Sequence, residues 1–391
     1  MLRIRSTFHF YHLVSAYFSM LMYLLLSSVN TIAASWGMSF FLIGIMNFIG
    51  ASSYIATSFL FGRFGDKHGH KKMLSLSIFL FAIFNLLFLF LKNVPLLFTF
   101  VVGINVFFGF FFPQMEGLLS KQEKKLGIDA ASTIIRFNLS WSSGNIFGIT
   151  LGPLLVTKAR WIVFLLSFSL CLITYIILKE DLKRRDELIK FSPSQNTKKA
   201  SKAVDFPRIS LYRSVYRLTL ILSGLVYAAF LSLFPKLAHF SGIPLSKSGL
   251  LAAGANIGVL ITFVTLSKVR CWVAEPLNAF FLMGGFPILV FLLFMPQTPV
   301  SFFFVALAAG VTYAVPYTYA IFYALNSPDE DHGKQGGFHE ATIGTLSALG
   351  PLIGGISVQL ANGTKGLAYM ALTLLIAVLT VQIVFLKKVK N

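Results

Sequence analysis

The sequence predicts an all-α membrane protein of twelve transmembrane helices, arranged as two six-helix bundles with pseudo-two-fold symmetry. Three observations lead there. Charged residues make up 12% of the 391, against 56% in the hydrophobic set, whereas a soluble domain carries about a quarter charged. Apolar runs recur along the whole length, each long enough to cross a hydrocarbon core of about 30 Å. One long polar insert, Lys179 to Arg213, divides those runs into two equal sets.

In order, spans 8–30, 38–61, 73–91, 96–119, 130–156 and 161–178 precede the insert. Spans 217–237, 248–267, 274–295, 300–325, 338–361 and 366–386 follow it. They are expected to be helices, because lipid offers no partner to an exposed backbone N–H or C=O. The other solution, a closed barrel, reads as alternating segments of about ten residues, and nothing here alternates that way. The opening MLRIRSTFHF does not read as a cleaved signal peptide, since its apolar stretch runs too long and no small-residue cleavage site follows. The insert combines a charge run with Ser, Pro and Gln and shows no apolar periodicity, which marks a linker. The expected division is therefore a first bundle over 1–178, a cytoplasmic linker over 179–216 and a second bundle over 217–391.

The net charge of +19 is a topology signal. With both termini cytoplasmic, the inner segments collect most of the Lys and Arg. The outer loops keep only Lys92, Lys158, Arg160, Lys236, Lys247 and Lys365, as the positive-inside rule requires. This places the chain as an integral protein of the cell membrane, with the bilayer as its partner and no nucleic acid. The halves echo one another: the fifth span carries Gly144, Gly148, Gly152 and Pro153, and the eleventh Gly350, Pro351, Gly354 and Gly355. Such stripes, with Gly254 and Gly258 in the eighth span, let helices pack closely. A duplicated unit places a substrate site near mid-membrane between the halves. Cys171 and Cys271 give neither a disulfide framework nor metal spacing.

Between spans 2 and 3 lies FGRFGDKHGHKK. Its Gly62, Gly65, Asp66, Lys67, Gly69 and Lys71 fit G-x-x-x-D-R-x-G-R-R/K, the short cytoplasmic loop by which the chain resembles the major facilitator superfamily. The resemblance covers essentially the whole chain. It implies a secondary transporter working by rocking-bundle alternating access, with this loop latching the halves on the inner side through Asp66, Lys67 and Lys71. It also implies that span 5 meets span 8, that span 2 meets span 11, and that spans 1, 4, 7 and 10 line a central cavity. His70 stands where Arg is usual, and Asn105 stands where an Arg commonly precedes a glycine such as Gly109.

Ionisable groups inside a membrane are the best functional pointers. Glu116 near the inner end of span 4, Arg136 about 9 Å into span 5, and His339 with Glu340 at the inner start of span 11 are the candidates. Glu116 and Arg136 are placed to form an ion pair; alternatively Glu116, or Glu340 with His339, couples transport to protons. The candidate cavity lining is Tyr17, Tyr23, Asn47, Asn105, Asn145, Tyr227, Asn256, Tyr313 and Tyr317, the last two flanking Pro316. With no carboxylate expected at mid-depth, a neutral or amphipathic organic solute fits better than a strongly cationic one.

No H-E-x-x-H, G-x-S-x-G or phosphate-cradling loop occurs, so the chain is read as a non-enzyme without catalytic residues, cofactor or bound metal, acting as a monomer. The expected partners are a small organic substrate and protons. A drug or metabolite efflux antiporter of the same fold, or a non-transporting receptor or scaffold, stays open at this point.

Overall fold

A computed structural model describes residues 2–126, 130–189, 208–325, 332–361 and 363–390. Thirteen helices make up the described residues: α1 (Leu2–Ser35), α2 (Phe40–His68), α3 (His70–Leu87), α4 (Val94–Leu126), α5 (Ala130–Lys158), α6 (Arg160–Ile189), α7 (Ile209–Phe240), α8 (Leu245–Lys268), α9 (Pro276–Leu282), α10 (Gly285–Phe294), α11 (Pro299–Leu325), α12 (His332–Leu360) and α13 (Thr364–Lys390). Counting α9 and α10 as one interrupted rod, eleven are long and apolar enough to cross a membrane. The 29-residue α5 occupies the remaining expected span.

The ninth span departs from a single helix. It breaks after Leu282 and restarts at Gly285, in the sequence Met283-Gly284-Gly285-Phe286-Pro287. Two adjacent glycines are costly in a helix, and the proline removes a donor one turn later. Gly285 also lets the break lie against α11, where a Cβ would come 2.9 Å from Val311 Cγ1.

The polar insert is helical at both ends. α6 continues to Ile189 and α7 begins at Ile209, so much of the linker expected over 179–216 is helix; 190–207 lie outside the described residues. KEDLKRRDELI is rich in helix formers, and its sequence sets Glu180 four residues before Arg184, the favourable order. Helices generally overrun the apolar spans, with α4 reaching Leu126 and α12 starting at His332. That overrun carries residues near apparent span ends deeper into the protein.

Within each half the closest crossings are glycine-mediated. Gly144 and Gly148 lay α5 on the α1 backbone around Ala16, Met20 and Leu24. Gly350 and Gly354 lay α12 on α7, where a Cβ at Gly350 would fall 2.6 Å from the Leu225 carbonyl oxygen. Gly254 and Gly258 do the same for α8 against α11 at Phe303 and Leu307. The fifth- and eighth-span stripes thus pack inside the halves. The seam itself joins α2 to α12 and α5 to α8. It is tightest at the end away from the chain termini, where a Cβ at Gly44 would lie 2.5 Å from the Pro351 carbonyl oxygen.

Candidate functional site

A cavity of about 260 Å³ opens in the middle of the seam and is lined by both halves. The first half contributes Tyr23 and Asn30 from α1, Asn47 and Tyr54 from α2, Asn105 and Glu116 from α4, and Trp141 and Asn145 from α5. The second contributes Tyr227 from α7, Tyr313 and Tyr317 from α11, and Glu340 with Ser347 from α12.

The polar groups split into those tied down and those left open. Asn47 Nδ2 donates to Asn30 Oδ1 at 2.9 Å and to the Ile43 carbonyl at 2.9 Å. Asn105 Nδ2 donates to the Val101 carbonyl one turn back, at 2.8 Å. Both amides therefore serve helix packing as well as facing the cavity. Asn145 is 1% exposed, and its Oδ1 meets no protein donor. A buried polar atom without a partner costs about 1–3 kcal/mol, so a ligand that supplies a donor is favoured.

Aromatic rings form the second-half wall. Tyr227 and Tyr313 stack with centroids 4.4 Å apart and planes 7° apart. Tyr317 donates to Asn138 Oδ1 across the seam at 3.3 Å, and the same oxygen accepts from Trp141 Nε1 at 3.0 Å. His339 is 1% exposed and packs edge-on against Tyr317 with centroids 4.9 Å apart, behind the lining. Pro316 sits inside α11 and Pro113 inside α4. Each frees a carbonyl one turn back and loosens the helix beside Tyr317 and Glu116.

Two sequence expectations change here. Glu116 and Glu340 both line the cavity, in electrostatic range of each other, so carboxylates do face the central space. They sit about 15 Å before the end of α4 and about 12 Å after the start of α12, because those helices overrun the apolar spans. Arg136 is exposed near the start of α5 and lies in electrostatic range of His12; it does not line the cavity beside Glu116. α5 starts where the expected span does, and Arg136, six residues in, is exposed rather than at the buried level assigned to it.

Tyr17 and Asn256 also fall outside the lining. Tyr17 faces α6 beside Thr174 and Cys171. Asn256 is fully buried in α8, and neither end of its amide meets a partner. Tyr23, Asn47, Asn105, Asn145, Tyr227, Tyr313 and Tyr317 do converge on the cavity. Sequence reasoning passed over Tyr54, Trp141 and Asn138. Tyr54 and Trp141 lie on spans 2 and 5, outside the four spans that the resemblance assigns to the cavity, although their polar tips in apolar segments were visible.

The signature loop is built differently from a simple turn. Gly69, at φ +93°, is the single residue between α2 and α3. His70 is buried, its Nδ1 3.0 Å from Gln114 Oε1, while Gln114 Nε2 donates to the Phe61 carbonyl at 2.7 Å. Gly65 and Gly117 leave the room this pair fills; a Cβ at Gly117 would lie 2.5 Å from His70 Cε1. His70 thus joins α3 to α4 within the first half. Lys67 is exposed in the last turn of α2, where a cation suits the helix dipole, and Lys71 follows in the first turn of α3. Gly62 and Asp66 belong to α2, and their side-chain surroundings lie outside those described.

Comparison with known proteins places this architecture. A stretch of 179 residues is 25% identical to the staphyloferrin B transporter of Staphylococcus aureus (strain NCTC 8325 / PS 47), covering 44% of this chain and 41% of that protein. The fold is similar to the crystal structure of the nucleoside transporter NupG, with TM-score 0.68, 12% identity, and 97% of this chain and 99% of that one covered. It is equally similar to a bacterial homolog of the human lysosomal transporter Spinster in an inward-facing, occupied conformation, with TM-score 0.68, 12% identity, and coverages of 98% and 97%. The sequence profile of the Major Facilitator Superfamily matches residues 12–325, and with that share of its length matched the chain belongs to this superfamily.

Proposed function

We propose that this transporter carries a small organic solute through the central cavity by alternating access, and that protons drive it through Glu116 and Glu340. One observation carries the reading: a carboxyl from each half faces the same cavity at the seam that must open and close. Protonation at that place changes the charge held between the halves, which is what coupling requires. Tyr54 of α2 and Tyr317 of α11 lie in electrostatic range of both carboxyls. On the neighbouring turn, Arg217 of α7 faces His339.

A single copy supplies the whole cavity, which supports a monomeric carrier. Charge distribution supports cytoplasmic termini and residence in the cell membrane. A first domain ending after α6 and a second starting at α7 fit this reading. As in the two named relatives, a nucleoside and a staphyloferrin transporter, the cargo is a small solute.

Reconstitution into liposomes with an imposed pH gradient tests the proton role. The wild-type protein should accumulate solute, and a protonophore should abolish the accumulation. Glu116→Gln and Glu340→Gln should each cut gradient-driven uptake at least tenfold. Accumulation that persists unchanged in both variants would retire proton coupling at this pair.

A further inference from the structure

The cavity is one-sided in its chemistry. Its ionisable lining consists of Glu116, Glu340 and phenols, with no Lys, Arg or His among the described lining residues. The buried lining atom left without a partner on Asn145 is also an acceptor, Oδ1. A pair of carboxylates with no cationic side chain among the described lining residues is unfavourable unless positive charge comes from elsewhere. The remaining wall is aromatic, with Trp141, Phe112 and Phe137 from the first half facing the stacked Tyr227 and Tyr313 of the second. Ring faces of this kind attract a cation and stack on an aryl group. The volume of about 260 Å³ lies below the range of drug-sized pockets, about 300–1,000 Å³, which suits one or two rings.

We propose that the substrate class is a small aryl amine carried as its ammonium cation, its N–H groups shared by Glu116, Glu340 and the Asn145 carbonyl oxygen, its ring held between Trp141 and the tyrosine stack. The inference rests on the solute-carrier reading above and narrows it. Because one carboxyl comes from each half, such a cation bridges the seam and offsets the repulsion that holds the two acids apart. Proton and ammonium then serve the same pair, and each excludes the other. The stacking of the aryl ring adds selection by shape.

The test uses three indoles that differ only in head group: tryptamine, the neutral tryptophol and the anionic indole-3-acetate. Binding to the full-length protein in nanodiscs is read by calorimetry, with phenethylamine as a one-ring cation. Tryptamine should bind at least tenfold tighter than tryptophol, and indole-3-acetate weakest of the three. Glu116→Gln and Glu340→Gln should bring tryptamine down to the tryptophol level, with an unchanged Tm of the unliganded protein as the control for folding. Glu340→Asp should restore part of the preference. Equal binding across head groups, tighter binding of the neutral or anionic compound, absence of binding by both amines, or a preference that survives the Gln variants would overturn the proposal.

Counterflow in liposomes separates this failure from failure of the carrier reading. Movement of a neutral or anionic solute with no amine preference keeps the carrier and removes the amine class. An amine that binds as stated but is never moved keeps the class and removes the carrier.

Discussion

Inside the first half, Gly144 and Gly148 set α5 on the α1 backbone; inside the second, Gly350 and Gly354 set α12 on α7 in the corresponding place. Between the halves, among the described residues, glycine approach to the backbone recurs toward one end. There Gly44 meets the Pro351 carbonyl, Gly355 the Phe40 carbonyl, and Gly249 the Ile149 carbonyl. The middle of the seam is cavity, and the end nearer the termini is joined by side chains such as Tyr317 and Asn138. Packed backbones behave as rigid bodies, whereas side-chain contacts exchange with water. The difference identifies which contacts hold the bundles intact and which must part for a solute to pass.

The strongest way to break that contrast is inside a half. Gly148→Leu would drive a branched side chain into Met20, Leu24 and Tyr23 of α1, where no flexible group can yield. The expected cost is about 3 kcal/mol, at the upper end of overpacking, with loss of monodisperse protein by size-exclusion chromatography. Recovery at wild-type yield would show that the α1–α5 crossing is not rigid.

At the seam the same kind of change should spare the fold and stop the cycle. A Cβ at Gly355 would lie 2.6 Å from the Phe40 carbonyl oxygen and 3.2 Å from Gly44 Cα. Gly355→Leu should therefore hold that end apart, cutting counterflow at least tenfold while the protein remains folded. A cysteine at Ser39 should become more reactive in this variant; unchanged labelling would argue against the wedge.

Lys236 offers a milder break. Its Nζ donates to the Met38 carbonyl and lies 5.1 Å from the Phe40 ring centroid, joining α7 to the start of α2. Lys236→Met keeps the stem and removes the charge, with an expected loss of about 1 kcal/mol of end-to-end closure, read as a rise in Ser39Cys labelling of a few-fold. The smallest effect is a gain. Asn256 has two buried amide atoms without partners, and Asn256→Leu should raise stability by about 1 kcal/mol, measured as a higher Tm in detergent. A lower Tm would mean that the amide is satisfied in a conformation other than this one.

Much of the fold was legible because a bilayer imposes a length and a polarity on each span, and both are visible residue by residue. The α4, α6 and α12 ends were not, since helices continue past the lipid wherever good helix formers follow, as in the Lys179–Ile189 run. That single error misplaced the acids: Glu116 and Glu340 looked peripheral because charges mark the edge of an apolar window. The glycine stripes were read correctly as packing surfaces, but the neighbour each one meets was not legible, because spacing along one helix names a face and not what lies against it. Tyr23, Asn47 and Tyr313 were found as polar groups at mid-depth. Tyr17 and Asn256 met the same criterion and turn elsewhere, a matter of helix rotation that hydropathy does not encode.

Asn138 leaves a mark on how the carrier would reset. Its one carbonyl oxygen keeps the indole of Trp141 in place from within α5 and, at longer range, greets the phenol of Tyr317 from the other half. When the two sides separate, only the phenol lets go, and water can take its place at little expense. The indole stays oriented throughout, so each return stroke finds its docking surface already assembled.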